Sequence, residues 1–192
     1  MAAPDWRRAE ELLFEWSRTV IQDFGREHSR ESFSLFAYVV DSLFTGVSIN
    51  FDTPANSLSE AKRHQRREVK ARNHIFEQDR GWERARYYVA HPSRQIDDFN
   101  HRGSWRYELI EFVPLTEWGT FFAEGDDEQR GAELEGRVIV ALWRIVDRLV
   151  QAKAFDGLRR VAPFRIGFKF HDEDFVVLRI LNWPDDDVER LN

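Results

Sequence analysis

FSLFAYVV, Phe33 to Val40, is rich in aromatic and β-branched residues and holds no proline, glycine or charge. That is the composition of a strand. The turn-prone SLFTG follows, and then a second piece of the same character, VSINF, Val47 to Phe51. Two such runs around a short turn predict a β-hairpin. The elements on either side of it decide the fold class.

Upstream, Pro4 and Asp5 suit a helix start, and Trp6, Ala9, Leu13, Trp16, Val20 and Phe24 recur in steps of three and four. This spacing draws one apolar stripe down a helix, with Gly25 expected to end or fray it. Downstream, DTPANSLSEAKRHQ opens a second helix, with Asn56 or Ser57 expected as N-cap and Glu60 completing a capping box. Leu58, Ala61, Gln65, Val69 and Phe76 fall close to one line on that helix, and Arg63, Arg66, Arg67 and Lys70 gather on another side. The stretch from Glu60 to His74 thus carries six Lys or Arg in fifteen positions, inside a chain of net charge -6. Glu60, Glu68 and Glu77 offset half of that charge, and the Glu60–His64 and Glu68–Arg72 spacings support an exposed helix.

From Gly81 to Gly125 the periodicity is broken at Pro92, Gly103 and Pro114, and short helices and loops are predicted. Beyond the acidic EGDDEQRG, the residues Leu134, Val138, Ala141 or Leu142, Ile145, Leu149 and Ala152 form the broad apolar face of a central helix, with Gly157 as its C-terminal stop. FRIGFKF reads as a strand with Phe164, Ile166, Phe168 and Phe170 on one face, and HDEDFVVLRILNW as a strand or a short capped helix. No internal repeat or long linker divides the chain. The expectation is a single α+β domain over residues 1–192, a small antiparallel or mixed sheet with a hairpin packed against long amphipathic helices.

Composition narrows the function classes. A chain of 192 residues is long enough for a real core, and seven Trp with sixteen Phe make that core aromatic. There is no Cys, which removes disulfides, thiolate metal sites and a Cys nucleophile, and suits a reducing cytoplasm. The N-terminus lacks the pattern of a signal peptide, and no run approaches the eighteen or so apolar residues of a membrane span. The expectation is a cytoplasmic protein with no membrane contact.

The order of pieces resembles a bacterial domain-of-unknown-function family, the one numbered forty-three-oh-three. The resemblance rests on the hairpin followed by PANSLSEA (Pro54 to Ala61), on Trp105 to Tyr107, on ALWRIVDRLVQAKAFDGLR late in the chain, and on the terminal RILNWPDDDVERLN. Together these span most of the chain. The basic extension of the second helix, and the Trp after Leu181 and Asn182, depart from the family pattern. The resemblance implies a small bacterial α+β protein and hands over neither a reaction nor catalytic residues.

The residues themselves point to no specific chemistry. The six His show no HExxH and no short pairing, and the best metal candidate, His171-Asp172-Glu173-Asp174 after a strand, reads first as a turn. There is no GxSxG elbow and neither of the glycine-rich phosphate cradles, so no cofactor is expected and the catalytic residues stay unknown. Accidental pairs are inevitable among 34 acidic residues. The basic helix is read as a solvated face ahead of a contact for an acidic protein, and ahead of nucleic acid, because the remainder of the chain is acidic. The leading expectation is therefore a non-catalytic protein-binding domain of the accessory or immunity-like kind. The alternatives are a hydrolase-type enzyme using His and carboxylates in a cleft beside the hairpin, and nucleic-acid binding through helix 60–74. Candidate contacts with a protein partner are Trp82, Tyr87, Tyr88, Trp105 and Tyr107, residues of hot-spot type in an irregular segment, together with Arg63, Arg66, Arg67 and Lys70. The oligomeric state is left open.

Overall fold

The computed structural model describes residues 5–41, 45–64, 66, 104–115, 128–171 and 173–181. The first helix, α1, runs Trp6–Glu27, capped by Asp5, whose Oδ1 accepts from Arg8 N at 3.0 Å. Its buried stripe is Ala9, Leu13, Phe14, Ser17, Val20, Ile21 and Phe24. Gly25, expected from sequence to end or fray the helix, instead sits buried inside it. A methyl group there would lie 3.0 Å from the carbonyl oxygen of Gly157, so this glycine serves a close approach of backbones.

The predicted hairpin forms. Strand β1, Phe33–Val40, pairs antiparallel with β2, Gly46–Asp52, from Leu35 opposite Asp52 to Val40 opposite Val47. Helix α2, spanning 54–64 with residue 66 also helical, starts without a linker. Thr53, rather than Asn56 or Ser57, is its N-cap: Asn56 N donates to Thr53 Oγ1 at 3.3 Å, and Pro54 takes the first helical position. Ser57 is buried and Leu58 is 39% exposed, so the expected inward line through Leu58 is displaced.

Strand β3, Tyr107–Pro114, corrects the expectation of helices and loops for this part of the chain. Its alternation is hidden by an irregularity opposite Ile49 to Phe51 and by Leu109, which has φ 51°. Helix α3, Glu128–Gln151, buries Leu134, Val138, Ala141, Leu142, Ile145, Val146 and Leu149, while Ala152 is exposed. Gly157 is not its stop. Lys153, at φ 54°, reverses the chain, with Ala154 N bonded to Leu149 O at 2.9 Å and Lys153 N to Val150 O at 3.0 Å. Strands β4, Arg160–Phe170, and β5, Val176–Leu181, follow, and the second resolves the strand-or-helix alternative as strand.

Among the described residues the sheet has five strands in the order β3-β2-β1-β4-β5, with β1 and β4 parallel and the other pairs antiparallel. This is an α+β fold. One face carries Phe36, Tyr38, Val40, Val47, Ile49, Phe51, Val113 and the four predicted residues Phe164, Ile166, Phe168 and Phe170. The stripes of α1 and α3 close over it, the two helices running in the same direction with Glu10 paired to Arg144 at 3.3 Å and Glu11 to Arg148 at 2.8 Å.

Candidate functional site

Alternation along β2 sends Val47, Ile49 and Phe51 to the helices and Ser48, Asn50 and Asp52 to the opposite face. In register beside them stand Val39, Ala37 and Leu35 of β1, then Lys169, Gly167 and Arg165 of β4. The three polar β2 residues are not wet: Asp52 is 0% exposed, and Ser48 and Asn50 are 2%. Trp105 and Phe175 pack over Leu35 and Ala37, their rings edge-to-face at 5.9 Å. Gly167 makes room, since a Cβ there would lie 2.6 Å from the Phe175 ring. Lys169 Nζ lies 6.0 Å from the Trp105 ring centre.

Asp52 is the chemically distinctive group on this face. Its Oδ1 accepts from Thr53 N at 2.9 Å, Asn56 Nδ2 at 2.8 Å and Arg106 N at 3.0 Å. Among the described residues its Oδ2 is buried with no hydrogen-bond partner, and no ion pair reaches the carboxyl. Burial therefore raises its pKa, and the Arg106 and Thr53 amides, Asn56 and the Ser57 hydroxyl only partly offset this. Neighbouring groups are held in uncommon states. Asn50 Oδ1 accepts from Leu109 N at 2.8 Å, but its Nδ2 finds only long contacts of 3.3 to 3.4 Å to Ala37 and Ser48. Asn56 Nδ2 also donates to Ser104 O at 3.0 Å, and Ser104 and Leu109 both have positive φ, 61° and 51°. A carboxyl in this setting can hold a proton at pH values where an exposed one cannot.

A second polar cluster lies where α1 meets β3. Glu31 Oε1 accepts from the Tyr107 hydroxyl at 2.6 Å and lies 3.1 Å from His28 Nδ1. The Tyr107 hydrogen bond, then that of His28, lowers the Glu31 pKa; burial, then Glu31, raises that of Tyr107. The His28 ring stacks near Phe24, with centroids 4.3 Å apart.

Of the expected partner contacts, Trp105 is 6% exposed and belongs to the packing under the sheet, so it offers no surface to a partner. Tyr107 is half-buried against the main core. Arg63 and Arg66 are exposed, and Arg63 pairs with Glu60 rather than leaving that Glu to His64. Trp82, Tyr87, Tyr88, Arg67 and Lys70 lie outside the described residues. His171, Glu173 and Asp174 are exposed, Asp172 lies outside the described residues, and no three His, Asp or Glu among the described residues gather as metal ligands. Asp52 was not among the residues singled out from sequence, because a strand polar on alternate positions reads as having a solvated face.

No family model matches the chain, and no curated protein or solved structure matches it either.

Proposed function

We propose that this chain is a non-catalytic protein-binding domain of the accessory or immunity-like kind, working in the bacterial cytoplasm. One observation carries the reading: Trp143 is 49% exposed and Val140 46% exposed, one turn apart on the outer side of α3. The inner side of the same helix is fully committed to the core. Trp is the residue type most enriched where binding energy concentrates, and exposing it costs solubility unless something covers it. Its surroundings are tied down, with Arg144 bonded to Glu10 and Arg137 to Glu133, so the patch is presented on a rigid support. Trp143 also falls within the ALWRIVDRLV stretch that carries the family resemblance. The Cys-free composition suits the cytoplasmic part of the proposal.

The test is binding to the product of an adjacent gene, measured by calorimetry with the purified chain and with a Trp143→Ala, Val140→Ser variant. The variant should bind at least about tenfold more weakly while its melting temperature hardly moves. Equal affinity of the two proteins rejects the patch. A hydrolase-type reading is favoured by a different observation, the buried and partnerless Oδ2 of Asp52. It requires turnover, in a panel of ester and phosphoester substrates, that Asp52→Asn abolishes.

A further inference from the structure

The two sides of the sheet are finished differently. Strand β3, outermost on one side among the described strands, carries Glu108 and Glu111, ends at Pro114, which has no N–H to offer, and is interrupted by the left-handed Leu109. Charge, proline and irregular backbone all keep an edge strand from pairing further. Strand β5, outermost on the other side, reads VVLRIL from Val176 to Leu181. It holds no proline, and its one charged residue, Arg179, pairs with Asp147 of α3 at 3.6 Å. The irregularity in its pairing with β4 falls at Leu178, whose side chain packs on the main core. Its other apolar side chains are bare on both faces. Val176, beside Phe168 on the helix face, is 47% exposed, while on the opposite face Val177, beside Gly167, is 38% and Ile180, beside Arg165, 51% exposed. A strand edge offers backbone N–H and C=O groups, so the group it takes is another strand.

We propose that β5 pairs antiparallel with β5 of a second copy of this chain about a two-fold axis, joining the two sheets into one. Complementarity identifies the occupant. A strand added at this edge has to be apolar on both faces and bring no cation against Arg179. Strand β5 itself meets both conditions, because Arg179 is already neutralised within its own chain by Asp147. The helix layer fits the same axis. Helix α3 packs over β4 and β5, with Arg144 and Arg148 turned to α1. By helical spacing Ile139 and Val150 lie on the other flank, the side on which Asp147 reaches Arg179. Both are apolar and half-buried. Strands stand about 4.8 Å apart, so with α3 above β4 and β5 a two-fold axis beside β5 sets the two α3 helices roughly 10 Å apart, the distance at which helices pack. Two copies thus close in both layers, whereas a single peptide strand would cover the edge and leave the helix flank bare. The outward side of α3, where Val140 lies opposite the buried stripe, is left to the partner proposed above.

Sedimentation equilibrium of the full-length chain over a concentration series reads this directly. The wild type should approach twice the chain mass as concentration rises. Val176→Lys and Ile180→Lys replace exposed side chains, so both variants should keep a melting temperature close to that of the wild type while associating at least about tenfold more weakly. A wild type that stays monomeric up to about 1 mM overturns the proposal. So does a dimer that both lysine variants leave intact, since it uses another surface. Should the variants not fold, NMR of a sample mixed from isotope-labelled and unlabelled wild type decides. Intermolecular NOEs should join Val176–Leu181 of one copy to the same strand of the other, and NOEs confined to other elements, or none, refute the pairing. A monomer whose β5 amides gain protection only when a different protein is added assigns the edge to that protein and refutes the second copy.

Discussion

Gly46 and Gly167 both lie in the sheet, yet a methyl group at each meets a different kind of obstacle. At Gly46 a Cβ would lie 2.1 Å from the Phe112 ring, which is half exposed and free to swing outward. At Gly167 it would lie 2.0 Å from the carbonyl oxygen of Val176, a backbone atom in the paired strand β5. Gly46→Ala is therefore expected to cost within about 1 kcal/mol and Gly167→Ala about 3 kcal/mol. Urea unfolding of the two variants checks the order, and a reversed order would mean that β5 yields more easily than the Phe112 ring. Tyr38 gives a second residue-level outcome. Its hydroxyl donates to Ser17 Oγ at 2.6 Å inside the core, and burial pushes the phenol pKa up so that it stays neutral. Tyr38→Phe leaves the Ser17 hydroxyl buried without this partner, and a loss of about 1 kcal/mol is expected in the same measurement.

Strand β3, outermost among the described strands, is joined to α1 and its following turn by side-chain bonds, Tyr107 to Glu31 at 2.6 Å and Trp16 Nε1 to Glu111 Oε2 at 3.0 Å. The first is pH-dependent. Because hydrogen bonds from Tyr107 and His28 lower the Glu31 pKa, its contribution is present above the ordinary carboxylate range and is lost as pH falls through the folded-state value. Glu31 is 40% exposed in its side chain, so solvent screening keeps the contribution under about 1 kcal/mol. Glu31→Gln should thus lower the urea midpoint slightly at neutral pH, and the gap to wild type should close in acid. A gap that widens in acid would contradict this assignment. The same element shows why part of the fold was hidden in the sequence. YELIEFVP is a strand, but Leu109 interrupts its alternation and Asn50 gives its side-chain oxygen, rather than a ladder carbonyl, to the Leu109 amide.

At the scale of the molecule, the central contact is the parallel pairing of β1 with β4, two segments far apart in the chain. Without β4, strand β1 loses one ladder, and Phe36 and Tyr38 lose part of their packing. A chain ending at Gln151 should therefore fail to fold, giving collapsed, undispersed amide resonances, although it contains both long helices and the hairpin. A dispersed spectrum with cooperative unfolding would show that β4 and β5 are an addition to an independent core. Local pattern alone was enough for α1, the hairpin, the inner face of α3 and the Phe164, Ile166, Phe168, Phe170 side of β4, because periods of 3.6 and 2 record which side of an element is apolar. The strand order, the continuation of α1 through Gly25, the stop at Lys153 and the burial of Ser48, Asn50 and Asp52 came from long-range packing. A polar position in a strand reads the same whether water or protein lies above it. What makes Asp52 unusual is the burial of its carboxyl, and the Arg106 amide that bonds it, distant in the chain, is brought there only by the fold.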